Sequence, residues 1–276
     1  MKATSSRTWR RAGARLGWPA AAAVAYRLVY LWLLGALAFW PLARWQARAL
    51  PPADRLEASL RQEPRQRPTD RAPFTVEVEG ISYRVEPKFS YAIEGLVVSE
   101  HVTESWWRPA SFHARANDRL NVKDVCVVWG ENAANGSYRR ARFHSGEFTC
   151  FVRFPSAPAA QAFVPRALSN NHLLAVDPDL RRQLRDLRRG DQIALGGYLA
   201  SYGHDQATGT GSGQGYWRGT SISRDDTGNG ACETLFVTQL QVLRPASPGW
   251  RLASRLAPLG LLAGVLAWLR LPVPKR

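Results

Sequence analysis

The hydrophobic pattern divides the chain into two apolar ends and a centre that alternates. Residues 19–43, PAAAAVAYRLVYLWLLGALAFWPLA, are apolar almost throughout, with Arg27 as the single charge. About 20 such residues in a helix cross the ~30 Å hydrocarbon core of a bilayer. Trp18, Trp40 and Trp45 stand near the ends of the run, where interfacial aromatics sit. Arg27 lies toward the N-terminal end, within snorkelling reach of the headgroups. A transmembrane helix is expected here. The alternative is a cleaved signal peptide with Ala36-Leu37-Ala38 as its small-x-small site, but the apolar run continues past it to Ala43. At the other end, residues 256–269, LAPLGLLAGVLAWL, lie between Arg255 and Arg270. Such a stretch rises only about 21 Å. Snorkelling by the flanking arginines lengthens it, so a second span over 252–272 is expected, with an interfacial helix as the alternative.

Between the ends the period changes. Residues 44–73 carry paired prolines and mixed charge and read as a linker, with one short helix between Pro52 and Pro64. From residue 74 the period is two. Phe74, Val76 and Val78, then Ile81, Tyr83 and Val85, alternate with polar residues on either side of Glu79-Gly80, which predicts a hairpin. Further strands are expected over 91–98, 125–129, 147–154, 192–202, 216–222 and 234–243. One helix interrupts them, over 178–189. Asp177 is its N-cap, Pro178 takes the first helical position, and Gly190 stops it. Leu180, Leu184 and Leu187 share one face, while Arg181, Arg182, Arg185, Arg188 and Arg189 fall on an adjoining arc. Strands, one helix, then more strands predict an α+β, mainly β domain over 74–244. The order fits an OB-like small barrel with its helix before the fourth barrel strand and a hairpin added in front; a β-sandwich is the alternative.

Charge sharpens this picture. The 276 residues carry a formal net charge of +15, which by itself points to nucleic acid. Yet residues 75–244 hold 19 basic and 18 acidic residues, and residues 1–18 hold five basic and no acidic ones. The excess therefore sits at the membrane ends. Nucleic acid becomes an unlikely partner, and a cytoplasmic N-terminus follows from the basic block. With two spans, residues 1–18 and 273–276 are cytoplasmic tails and the central domain lies outside the cytoplasm. The 11 Trp and 45% hydrophobic content exclude a disordered chain.

Candidate chemistry is sparse. The densest polar run, residues 218–234, offers Arg218, Arg224, Asp225, Asp226, Asn229, Cys232 and Glu233. It faintly echoes a calcium loop, but Phe236 stands where the bidentate Glu is required. His172, in an amide-rich stretch expected to form a turn, could join Arg218, Arg224, Asp226 and Glu233 in a hydrolase site, and Cys232–His172–Asp226 is a conceivable nucleophile set. The competing reading is an ordered turn in which Asp and Asn satisfy their own backbone. The five arginines of the helix could hold an anion or a lipid headgroup, or could be a solvated face. Glycine-rich residues 203–215 lead into a strand pattern rather than a helix, so they do not make a phosphate cradle. The five His are scattered, so neither a metal nor a cofactor is expected. Cys126 and Cys150 lie in strand-like runs. They are read as buried thiols, or as a disulfide if their strands are neighbours.

The pieces YAIEGLVVSEH, LNVKDVCVVWGENAANGSY, SGEFTCF, LSNNHLLA, RRGDQIALGGYLASY and SRDDTGNGACETLFVTQLQVL, in this order, resemble a family of bacterial membrane-anchored or exported proteins. The resemblance covers roughly residues 88–243. It implies a discrete domain behind an N-terminal hydrophobic segment and carries over no catalytic residue. The function expected on these grounds is a binding or assembly module at the inner membrane, with the membrane and a protein as partners. The alternative is a nuclease-like or phosphodiesterase-like hydrolase.

Overall fold

The computed structural model describes residues 20–103, 111–210, 215–223 and 232–271. Arg224, Asp225, Asp226 and Asn229 fall outside them. The chain divides into two units, residues 1–45 with 249–276, and residues 46–248. Helix α1 (Ala20–Gln46) opens the first unit, with Pro41 inside it and no acidic residue in its first turn.

In the second unit, residues 53–61 form two short 3₁₀ turns that lead into β1 (Arg65–Pro68). Then come β2 (Phe74–Val78), β3 (Ile81–Val102), α2 (Phe112–Arg115), β4 (Asn121–Val128) and α3 (Gly130–Asn135). They are followed by β5 (Arg142–Gly146), β6 (Thr149–Arg153), α4 (Ala157–Gln161), β7 (Leu168–Leu174) and α5 (Pro178–Asp186). The unit ends with β8 (Gln192–His204), β9 (Tyr216–Arg218) and β10 (Cys232–Arg244). The architecture is α+β with most of its regular structure in sheet.

β3 organises the sheet. It pairs antiparallel with β2, β1 and β4 in succession, and also with β8 from Arg84 to Leu96. A straight strand of this length would measure about 70 Å. Register shifts at Pro87/Phe89 and Val97/Ser99 let it bend and stay within the domain. β4 pairs antiparallel with β7, β7 parallel with β10, and β10 antiparallel with β8, which carries β9 on its far half. The parallel β7–β10 pair requires a long crossover, and α5 and β8 lie within it. β5 and β6 form a separate two-stranded sheet.

The expected hairpin at 74–85 forms as β2–β3. Glu79 and Gly80 take φ of 53° and 77°, the two positive values that a tight primed turn needs. Asp177 caps α5, its Oδ1 accepting from Leu180 N at 2.8 Å. Leu184 and Leu187 pack into the core with Val122, Val125 and Ile193. The helix ends at Asp186 rather than Arg189, because Leu187 is already extended with ψ 140°.

Other expectations change. The 44–73 segment is more than a linker. Leu56 and Leu60 are buried with Leu96, Val128 and Tyr138, and Tyr138 Oη donates to Pro51 O at 2.7 Å. The stretch around His172 is a central strand, β7, rather than a turn. The strand expected over 147–154 is a turn at Glu147-Phe148 followed by β6, and the one over 216–222 stops at Arg218. Cys126 and Cys150 are joined as a disulfide across β4 and β6, so these two are not free thiols.

α6 (Pro248–Arg270) completes the first unit. Both α1 and α6 are long and apolar enough to cross a membrane. They run antiparallel: Tyr26 meets Leu271 at one end, Trp32 Nε1 donates to Gly260 O at 3.0 Å, and the Phe39 and Trp250 rings lie 6.2 Å apart at the other. Gly264 admits the approach, since a Cβ there would lie 2.7 Å from Leu33 and 2.8 Å from Trp32.

Candidate functional site

Every residue of β4 is buried, and so is β7 beyond its first residue. A strand buried on both faces must satisfy its polar side chains internally. Asp124 and His172 do so as register partners, with Asp124 Oδ1 2.7 Å from His172 Nδ1. Asn121 Nδ2 donates to the same oxygen at 2.9 Å. From the end of β9, Arg218 Nη2 lies 2.6 Å from His172 Nε2. A guanidinium only donates, so Nε2 accepts and the ring proton sits on Nδ1, facing Asp124. Burial would raise the Asp124 carboxyl, but His172, His113 and the Asn121 hydrogen bond pull it down to about 2.

A second buried imidazole lies close by. Ser111 Oγ caps α2 by accepting from Ala114 N, and the turn after the helix brings Asp118 Oδ2 within 2.8 Å of His113 Nδ1. Tyr202 Oη donates to both oxygens of Asp118. Burial, then the Asp118 charge, holds the Tyr202 phenol well above its usual range. His204 Nε2 donates to Ala116 O at 2.8 Å. Phe148 lies between the two groups. Its ring centroid is 4.4 Å from that of His113, 5.8 Å from His172 and 4.3 Å from Arg218 Cζ.

Of the residues singled out for a hydrolase site, the structure brings His172 and Arg218 together. Glu233 is buried on β10, but it immediately precedes Thr234, the register partner of His172. Its side chain therefore leaves the strand on the opposite face. The Cys232 thiol donates to Phe148 O at 3.5 Å, and burial raises its pKa. Among the described residues the carboxylate beside His172 is Asp124, which gave no signal in the sequence because it lies 48 residues from His172, at the polar start of β4 with Asn121 and Lys123. Among the described residues no group of His, Cys, Asp and Glu could hold a metal ion.

The arginines of residues 181–189, in α5 and just after it, are divided among separate tasks. Arg181 is buried and donates to Ala175 O. Arg182 pairs with Asp179, and Arg188 donates to the carbonyls of Arg185 and Leu187. Arg189 N donates to Glu100, and burial lowers the Arg189 guanidinium pKa. Sequence reasoning missed Lys123. Its side chain is 0% exposed and Nζ donates to the carbonyls of Arg185, at 2.9 Å, and Leu187. Burial, reinforced by Arg188, brings its pKa down to about 7.

An open groove of about 480 Å³ crosses β3, β8 and β10, with Ala92, Ala194 and Gly196 among its lining beside Glu63, Glu94 and Gln241. The lining holds carboxylates and amides but neither His nor Cys. Comparison with protein-family models, curated proteins and solved structures finds no match.

Proposed function

We propose that this chain is a membrane-anchored binding or assembly module of the bacterial inner membrane, with its β-rich domain facing the periplasm. One observation carries the choice of module over hydrolase: His172, at 0% exposure, has both ring nitrogens engaged, by Asp124 and by Arg218. A general base needs one nitrogen within reach of substrate. The pairing order β3–β4–β7–β10–β8–β3, the parallel β7–β10 pair and the position of α5 before β8 support reading the domain as an OB-like barrel. The basic block at residues 1–18 and the antiparallel α1–α6 pair support a topology with both termini in the cytoplasm.

Reporter fusions test the topology. Alkaline phosphatase fused after Asp70 or Asp205 should be active and β-galactosidase at the same sites inactive; the reverse pattern overturns it. His172→Ala tests the role. Lowered melting temperature with every phenotype loss traceable to it fits the module. Unchanged melting with a lost phenotype in complementation favours the hydrolase.

A further inference from the structure

The β-rich unit begins and ends at one place. Ala49 follows the end of α1 by a single turn, its N–H donating to Gln46 O at 3.2 Å. Ala246 comes two residues before α6. The loop after α5 meets both. Gly190, with φ 90°, is packed so closely that a Cβ there would lie 2.7 Å from Ala246 Cβ and 3.2 Å from Ala49 O. Asp191 Oδ1 accepts from Ala246 N at 2.8 Å, and Gly190 N donates to Val97 O at 2.7 Å. Two residues of chain reach no further than ~7 Å. Whatever surface α6 enters is therefore close to this loop.

The place is basic. Arg48 and Arg189 share Glu100: Arg48 Nη2 is 3.6 Å from one carboxylate oxygen, and the backbone N–H of Arg189 donates to the other at 2.9 Å. The two guanidiniums are near enough to repel each other. Neither is fully committed within the domain. Arg48 is 65% exposed. Arg189 Nε is buried and makes no hydrogen bond among the described residues, whereas buried donors ordinarily find an acceptor. The carboxylates nearby are already engaged, Glu100 by Arg48 and Arg189 N, and Asp191 by the N–H groups of Arg188 and Ala246. Behind them Lys123 and Arg188 donate to the carbonyls of Arg185 and Leu187, and they add to the positive field.

We infer that Arg48 and Arg189 bind the phosphate of an anionic phospholipid, in the leaflet next to the domain. A guanidinium matches two phosphate oxygens at once, and two guanidiniums that repel each other are both relieved by one anion between them. Free phosphate has the same chemistry. The lipid is favoured because the site is fixed to Ala49 and Ala246, at the two ends that lead into the apolar helices. The inference rests on the membrane-anchored reading, but not on which side of the membrane the domain faces.

Hydrogen exchange on the full chain in lipid nanodiscs tests it, with discs of phosphatidylcholine alone or mixed in equal parts with phosphatidylglycerol. The amides of Arg189, Gly190 and Asp191 are the reporters, since each donates a hydrogen bond that holds the loop. They should exchange about tenfold more slowly in the phosphatidylglycerol discs, because a ligand that binds the ordered loop stabilises it. Arg48→Gln should cut that gain about fivefold, the contribution of one arginine at an anionic surface. Arg48→Gln combined with Arg189→Gln should remove it. Arg48 is exposed, so the single variant carries the test if the double variant fails to fold. Arg182→Gln, on the exposed side of α5, should leave the gain intact. Equal exchange in the two kinds of disc, or the same loss in Arg182→Gln as in Arg48→Gln, overturns the site. Inorganic phosphate that slows exchange in phosphatidylcholine discs as much as phosphatidylglycerol does overturns the lipid. A chain that does not enter discs overturns the anchoring and the site together, whereas one that enters and shows equal exchange overturns the site alone.

Discussion

Asp124 on β4 and His172 on β7 are register partners whose side chains meet at 2.7 Å with neither exposed. The carboxylate is held as an anion in the interior because Asn121 and His172 both address the same oxygen. Its folded pKa of about 2 lies below the ordinary 3.8. A depressed acid contributes stability that is present above its unfolded pKa and is lost as pH falls through the folded one. Asp124→Asn should therefore flatten the acid limb of the stability profile between about pH 4 and pH 2. At pH 7 it should cost roughly 1.5–3 kcal/mol, the range for hydrogen bonds to charged groups. Denaturant titrations at pH 7 and pH 2.5 check both. An unchanged acid limb would sink the assignment.

Lys123 gives the opposite case. The folded pKa of about 7 lies below the ordinary 10.5 because burial disfavours the ammonium and Arg188 repels it. Between these two values the unfolded chain holds a proton that the folded chain has released, so stability should rise with pH across that window. Lys123→Met keeps the stem and removes the amine. The difference in stability between wild type and variant should therefore shift in favour of the wild type from pH 7 to pH 10. A pH-independent difference would place the amine in water.

The local signals were legible where a single residue type decides the backbone. Asp177 before Pro178, and Glu79-Gly80 between alternating strands, announce a helix start and a tight turn without help from tertiary contacts. β7 was not legible. Ser169, Asn170, Asn171 and His172 are poor strand formers with no alternation, because both faces of the strand are buried and its polar groups find partners on other elements. Leu56 and Leu60 were hidden for a related reason: two apolar residues among charges make no periodic pattern, yet both reach the core. His172 and Arg218 were visible as candidates. Asp124, His113 and Phe148 were not, since only the folded chain brings residues 113, 124, 148, 172 and 218 together.

Two residues of the α5 segment should separate in magnitude. Asp177 acts through one hydrogen bond, to Leu180 N, and Asp177→Ala should cost about 1 kcal/mol, as removal of a cap does. Leu184 is fully buried in the core, and Leu184→Ala should cost about 2–5 kcal/mol, as buried leucine truncations do. Thermal or chemical unfolding of the full chain in detergent reads both. If the cap variant proved the more damaging, the helix would owe its stability to local signals rather than to its buried face.

The last prediction concerns the helix pair. Lipid chains are as apolar as leucine, so two helices in a bilayer gain little from hiding apolar surface and associate where small residues let backbones approach. Gly260 and Gly264 are four residues apart on α6. Gly260 O accepts from Trp32 Nε1, and Gly264 packs directly against Trp32 and Leu33. A leucine at 264 would place its Cβ within 3 Å of both neighbours, closer than side chains tolerate, and must push α6 away from α1. The hydrogen bond to Gly260 would be lost with it. Gly264→Leu should therefore abolish oxidative cross-linking between cysteines introduced at Phe39 and Trp250, which pack ring against ring in the parent protein. Gly249→Leu is the control, because a Cβ there meets nothing within 4 Å, and its cross-linking should match the parent. Efficient cross-linking in Gly264→Leu would mean that α1 and α6 are held together by something other than their small-residue contact.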